Sequence, residues 1–249
     1  MTRILALDVG NSRTKWGLHS GRGWIAFGAS PNADIGSLAL REWQNLPRPS
    51  YVVGVNVAGE AARMRLEPQL SRWKVTPQWL TSTATAGGVI NCYEQPAQLG
   101  PDRWAALVAA RRRVMAEELL PQAAVVVNAG TAVTVDALDA EGVFRGGLIV
   151  PGLRLMLRAL ADNTAGLKVQ PGSCQDFPIN TGDALYSGAV QAVAGAISRM
   201  RERLSSTTGE VKCFISGGAA SEIAPCLEAP VELVDNLVLE GVLALANCD

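Results

Sequence analysis

One strand–turn–strand pattern occurs twice in this chain, and no other feature constrains its fold as much. Residues 4–18, ILALDVGNSRTKWGL, run from an apolar segment through a polar turn into a second strand-like segment. Residues 124–138, AVVVNAGTAVTVDAL, do the same, and setting Asp8 over Asn128 aligns D-V-G-N-S-R-T with N-A-G-T-A-V-T. Each pair precedes a third strand-like run, residues 23–28 and 142–150, so each predicts an antiparallel meander.

After each meander the hydrophobic period changes. The first half predicts a helix over 34–46, a strand over 51–57, a helix to about residue 73 and a strand over 74–80. The second predicts a helix from Leu153 after Pro151-Gly152, then a long one carrying Tyr186, Val190, Val193, Ile197, Met200 and Leu204. A strand over 212–216, a short helix, a strand over 231–234 and a terminal helix through Val238, Val242 and Leu245 complete it. A meander followed by βα units, twice, is the outline of an α/β duplicated ribonuclease-H-like fold. The expected halves are 1–115 and 116–249, each with a mixed sheet, flanking a nucleotide cleft.

Composition removes several function classes. A formal charge of −1 gives no footprint for nucleic acid or an anionic membrane. The cluster Arg111–Arg113 reads as a solvated helix face, with Arg113 and Glu117 one turn apart. Five scattered cysteines without C-x-x-C exclude the common zinc spacings and argue against a secreted disulfide framework. No apolar run is long enough to span a bilayer, so a soluble cytoplasmic protein is expected. The single histidine, His19, sits beside the turn SGRG, so catalysis is expected to run on carboxylates, backbone amides, lysine or arginine.

The polar turns carry the chemistry. In DVGNSRTK, residues 8–15, Gly10 admits close backbone approach, Asn11 and Ser12 add short donors, and the turn amides make an anion-binding concavity. Lys15 supplies a point charge for phosphate, and Asp8 holds Mg²⁺ directly or through water. NAGTA, residues 128–132, is a second such loop, and ISGGAA, residues 215–220, suits a nucleotide's ribose or base. Between the loops, Gly100-Pro101-Asp102-Arg103 opens a helix. Pro101 suits a first helical position and Asp102 the positive end of the dipole. Asp102 there can accept a hydroxyl proton, and Arg103 can clamp a carboxylate by a bidentate fork.

The three glycine loops resemble the two phosphate motifs and the adenosine motif of the actin-like ATPase and sugar-kinase superfamily. DVGNSRTK, a tyrosine before GPDRW, GTAVTVD, GGLIVPG and INTGDAL occur in the order seen in type III pantothenate kinases, across essentially the whole chain. The resemblance implies ATP-dependent phosphorylation of pantothenate, the first step toward coenzyme A. It implies that Asp8, Val9, Gly10, Asn11, Ser12, Arg13, Thr14 and Lys15 cradle ATP, that Thr131 contacts it, and that Mg²⁺ or Mn²⁺ accompanies it. It further implies Asp102 as proton acceptor, pantothenate held by Tyr93, Gly100, Pro101, Asp102, Arg103 and Thr181, and a homodimer. Thr181 by itself reads as an N-cap. In that family an Asp usually stands where this chain has Asn128, helping to bind K⁺ or NH₄⁺. Asn128 keeps an oxygen but loses the charge, so a monovalent-cation requirement does not carry over intact. Asp136 either belongs to the metal's outer shell or closes the hairpin. The competing readings are a non-catalytic nucleotide-binding accessory protein and a kinase for another small hydroxy-acid or sugar.

Overall fold

Each repeat builds a meander and then adds parallel strands to the same side of it. The computed structural model describes residues 2–117, 122–164 and 171–246. In the first repeat β1 (Ile4–Val9), β2 (Arg13–His19) and β3 (Trp24–Pro31) are followed by β4 (Tyr51–Asn56), α1 (Glu60–Leu70) and β5 (Gln78–Trp79). The sheet order is β3-β2-β1-β4-β5, with β1–β2 and β2–β3 antiparallel and β1–β4 and β4–β5 parallel. A short hairpin, β6 (Thr85–Ala86) and β7 (Val89–Asn91), leads to α2 (Pro101–Glu117). The second repeat has β8 (Ala123–Ala129), β9 (Ala132–Leu138), β10 (Val143–Pro151), α3 (Leu153–Asn163), α4 (Thr181–Thr208), β11 (Val211–Ser216), α5 (Ala220–Ile223), β12 (Val231–Leu233) and α6 (Leu237–Ala246). Its strands run in the order β12-β11-β8-β9-β10, which repeats the first topology strand for strand.

The chain divides into two compact units, Met1–Arg112 with Asn236–Asp249, and Arg113–Asp235. Sequence order had counted α6 with the second half. It packs instead against β1, β2 and β4 of the first unit. Its residues are buried almost all round, which is the pattern of a helix enclosed by core. Gly241 lies on the backbone of Ala105 in α2, so α6 and α2 touch without a side chain between them.

Strand alternation sends successive side chains to opposite faces of each sheet. In the first unit Leu5, Leu7 and Val9 of β1 join Trp16 and Leu18 of β2 in one core with Leu66 and Leu70 of α1 and Trp43 and Trp73. In the second, Val125, Val127 and Ala129 join Val133 and Val135 under Val190, Val193 and Ile197 of α4. Each large side chain so buried contributes about 1.5–3 kcal/mol. The residues between them, Asp8 and Lys15 in one unit and Asn128, Thr134 and Asp136 in the other, fall on the opposite faces by register.

Several expectations are corrected. Residues 34–46 are not an α-helix but a 3-10 helix, Asn32–Ser37, followed by turns. The Arg72 guanidinium holds these turns by donating to the carbonyls of Ala39, Trp43 and Gln44. The strand expected over 74–80 shrinks to Gln78–Trp79. Thr181 is the first residue of α4 rather than its cap. Asn180 caps it, its Oδ1 accepting from the Asp183 amide at 2.9 Å. Arg113 pairs with Glu232 at 2.6 Å, and the side chain of Glu117 lies outside the described residues.

Candidate functional site

The first hairpin turn is held by a residue outside it. Gly10 N donates to Arg13 O at 3.1 Å, closing the turn. Asn32, just past β3, donates through Nδ2 to Gly10 O at 2.7 Å and Asn11 O at 3.0 Å. Its backbone amide donates to Ser12 O at 3.0 Å, and its Oδ1 accepts from Thr14 Oγ1 at 3.0 Å. Asn11, Ser12 and Arg13 are exposed. Val9 and Thr14 are fully buried, so neither side chain is presented to a ligand. Thr14 instead anchors the loop through Asn32. Val9 gives its carbonyl to Val57 N at 2.9 Å.

Asp8 and Lys15 are cross-strand partners in the β1–β2 register. Burial, and then the charge of Asp102, push the Asp8 carboxyl up to about 7, while Lys15 pulls the other way. Asp102, the second residue of α2, is likewise raised, chiefly by burial. The Arg103 amide, which donates to Asp102 Oδ1 at 2.9 Å, and the Arg103 charge oppose that. A Cβ on Gly100 would lie 2.6 Å from Asp102 Oδ1, so glycine there leaves room for the carboxylate to fold back over the helix start. Two carboxylates from separate elements thus share one pocket of field, a setting that favours a bound cation or proton.

Arg103 and Tyr93 meet directly. Arg103 is 5% exposed, its Nη1 donates to Tyr93 Oη at 3.0 Å, and its guanidinium lies 5.7 Å from the centre of the tyrosine ring. Asn91, missed in the sequence reading, shapes the loop that presents Tyr93. Its Oδ1 accepts from the Tyr93 amide at 3.1 Å, an Asx turn. Its Nδ2 donates to the carbonyls of Thr83 and Pro96. The polar N-C-Y turn was the available signal. For Asn32 the signal was weaker, an asparagine after the proline that ends a strand.

In the second unit three glycine-bearing segments converge on residues 128–132. Gly130 N donates to Ala132 O, and Gly152 N to Thr131 O at 3.0 Å. Gly217, at φ +104°, lies against the backbone of Ala129, and a Cβ would come within 2.5 Å of Ala129 O. Only glycine combines that dihedral with that approach. Ala219 N then donates to the same carbonyl at 3.1 Å. Thr131 is exposed and Asn128 half-buried. Asp136 is buried mid-strand opposite Val126, so it does not close the hairpin. Asp139 does, accepting from Val143 N at 2.7 Å and pairing with Arg145 at 2.6 Å. Thr181 is exposed at the start of α4. His19 accepts from Gly21 N through Nδ1 and packs edge-on to Trp24, a turn role. No cluster of three or more His, Cys, Asp or Glu suited to a metal is found among the described residues.

A duplicated meander with parallel strands and glycine loops at equivalent strand ends is the fold of actin-like ATPases and sugar kinases. Solved structures support the fold. A candidate Baf family transcriptional activator from Campylobacter jejuni superposes with a TM-score of 0.63 at 19% identity, over 98% of this chain and 97% of that one. The ethanolamine utilization protein EutJ from Carboxydothermus hydrogenoformans gives 0.58 at 10% identity, over 100% and 90%. The family follows from closer relatives. The type III pantothenate kinase family model matches residues 4–203. A type III pantothenate kinase of Leptothrix cholodnii is 47% identical over 98% of this chain and 96% of its own. One from Nitrosospira multiformis is 49% identical over 98% and 91%. The chain belongs to the type III pantothenate kinase family.

Proposed function

We propose that this protein transfers the γ-phosphoryl group of ATP to the primary hydroxyl of pantothenate, and that Asp102 accepts the hydroxyl proton. The observation that carries the assignment within the family is the shared environment of Asp8 and Asp102 beside Lys15. Phosphoryl transfer depends on positioning and on neutralising charge, and these three residues supply both. The loop 10–13 offers backbone amides and the exposed Asn11, Ser12 and Arg13 to the phosphates, with Thr131 as a further ATP contact. The carboxylate of Asp8, raised by burial and by a like charge, fits a divalent cation, and Mg²⁺ or Mn²⁺ with ATP would neutralise phosphate charge there.

Pantothenate is assigned to Tyr93, Gly100, Pro101, Asp102, Arg103 and Thr181. Arg103 donates to Tyr93, so the guanidinium and the tyrosine act as one unit toward the carboxylate. Asn128 gives a neutral oxygen to any monovalent cation. A cytoplasmic homodimer is part of the proposal, since Gly188, Ala192 and Gly195 line an exposed small-residue face of α4. Coupled turnover of ATP against pantothenate and a panel of sugars tests the reading. Turnover with pantothenate alone is expected, and ATP binding without turnover on any of them would favour an accessory nucleotide-binding role.

A further inference from the structure

Two cysteines far apart in sequence meet in the second unit. Cys174 Sγ and Cys226 Sγ are 3.8 Å apart across a separation of 52 residues. Both are half-buried against the same hydrophobic core, which also receives Tyr186 and Leu227. The segments that carry them are held independently of the sulfurs. On one side, Gly172 sits on the Gly182 backbone at the start of α4. Ser173 N and Oγ donate to Asp183 Oδ1 at 2.8 and 3.1 Å, and Gln175 N donates to Ser187 Oγ at 2.9 Å. On the other side, Cys226 ends the 3-10 turn Ala224–Cys226 that directly follows α5, and α5 is tied to α4 by Tyr186 Oη donating to Glu222 Oε2 at 2.5 Å.

We propose that Cys174 and Cys226 form a reversible intrachain disulfide that locks the segment before α4 to the turn after α5. Two thiols held this close by neighbouring backbone bonds need a shift of under 2 Å to reach bonding distance, since a disulfide spans about 2.05 Å. The other described cysteines do not compete for this geometry, Cys213 being buried in β11 and Cys92 exposed in the first unit. The oxidant is a low-molecular-weight disulfide such as oxidised glutathione. One cysteine thiolate attacks it, releasing one glutathione thiolate and leaving a mixed disulfide. The second thiolate then attacks the protein sulfur, forming the Cys174–Cys226 bond and releasing the second glutathione. Two protein thiols lose two electrons and two protons, and the glutathione disulfide gains them, leaving as two thiols. Burial, the hydrogen bond with Cys174 and the charges of Cys174 and Asp176 hold the Cys226 thiol above its usual value, so closure quickens as pH rises. The inference does not depend on the kinase reading.

The test uses the full-length protein, incubated with oxidised glutathione at pH 8 and digested without reduction. The expected product is a single peptide pair joining Cys174 to Cys226, two hydrogens lighter than the sum of its parts and separated by dithiothreitol. Thermal melting should rise on oxidation, because the bond closes a long loop of the unfolded chain. Cys174→Ser and Cys226→Ser should each lose the linked pair and the oxidation-dependent rise in Tm, while exposed Cys92 still takes up glutathione in both. Should Cys92 become fully glutathionylated with Cys174 and Cys226 still reduced, the proposal fails. It fails equally if either cysteine links to Cys92, Cys213, Cys248 or a second chain.

Discussion

Asp8 and Lys15 stand directly opposite each other on β1 and β2, whereas the same place in the second meander pairs Asn128 with Thr134. The first unit keeps a carboxylate and a lysine where the second keeps two neutral polar groups. The second turn is also shorter by one residue. Gly10 N reaches Arg13 O, but Gly130 N reaches Ala132 O. The register equivalent of Lys15 is therefore Thr134, not the Val135 that an ungapped alignment of the two motifs supplies. One hairpin was kept charged, and its duplicate became a neutral platform.

The cost of that charge is measurable in the metal-free protein. Burial and the Asp102 charge push the folded Asp8 carboxyl up to about 7 from its ordinary 3.8. Between those values the native state binds more protons than the unfolded chain, so its contribution to stability is present at low pH and is lost as pH rises toward and through 7. In chelator at pH 8, Asp8→Asn should melt a few degrees above the parent, with the gain disappearing by about pH 4. Adding Mg²⁺ should raise the parent's Tm and leave the variant unmoved. A variant less stable than the parent at pH 8 would show that the Asp8 charge is compensated.

Asn32 gives the second expectation. Losing its bonds to Gly10 O, Asn11 O and Thr14 Oγ1 frees the phosphate loop and leaves the buried Thr14 hydroxyl unpaired. Hydrogen bonds contribute about 0.5–1.5 kcal/mol each, so Asn32→Ala should raise KM for ATP about 10–30-fold. KM for pantothenate should barely change, since Tyr93 is held by Asn91 and bonds Arg103. Equal effects on both substrates would mean a general loss of folding.

These residues also show what could be read in the chain. Asp8, Lys15, the glycine loops and the duplicated topology were legible because they follow from strand alternation and turn chemistry, which are local. The buried side chain of Thr14 was decidable as well: it opposes buried Val9 in register, so it had to face the core. Asn32 and Asn91 act through side chain–backbone bonds to chain brought near only by folding. The turns after residue 37 were misread for the same reason, since their carbonyls are taken by Arg72 roughly thirty residues on. The helix α6 looked like the end of the second half, and nothing local says that it crosses back to β1.

Asn128 leads to a third measurement. If the neutral amide lowers the demand for a monovalent cation, activity should depend weakly on K⁺ in the parent. Asn128→Asp should restore the charge and steepen the dependence, read as initial rate against K⁺ at constant ionic strength. A strict and equal requirement in both forms would sink the idea.

The last expectation concerns the two halves of the Asp102–Arg103 step at the head of α2. A positioned base is worth about 10²–10⁴-fold, and Asp102→Asn keeps the shape and an oxygen while losing the ability to take a proton. Its kcat should fall within that range with ATP affinity nearly unchanged, because the loop at 10–13 is held by Asn32 and not by α2. Removing the Asp102 charge should also lower the Asp8 pKa, since that charge is the second cause of its rise. The pH-dependent loss of apo stability should then be smaller and level off at a lower pH. Arg103→Ala should behave differently. It deletes the donor to Tyr93 Oη and the cation packed on that ring, so KM for pantothenate should rise well beyond any fall in kcat. Steady-state kinetics on both variants, with nucleotide affinity measured independently, separates the roles. A near-normal kcat in Asp102→Asn would reduce Asp102 to a favourable residue at a helix start and leave the proton acceptor to be found elsewhere.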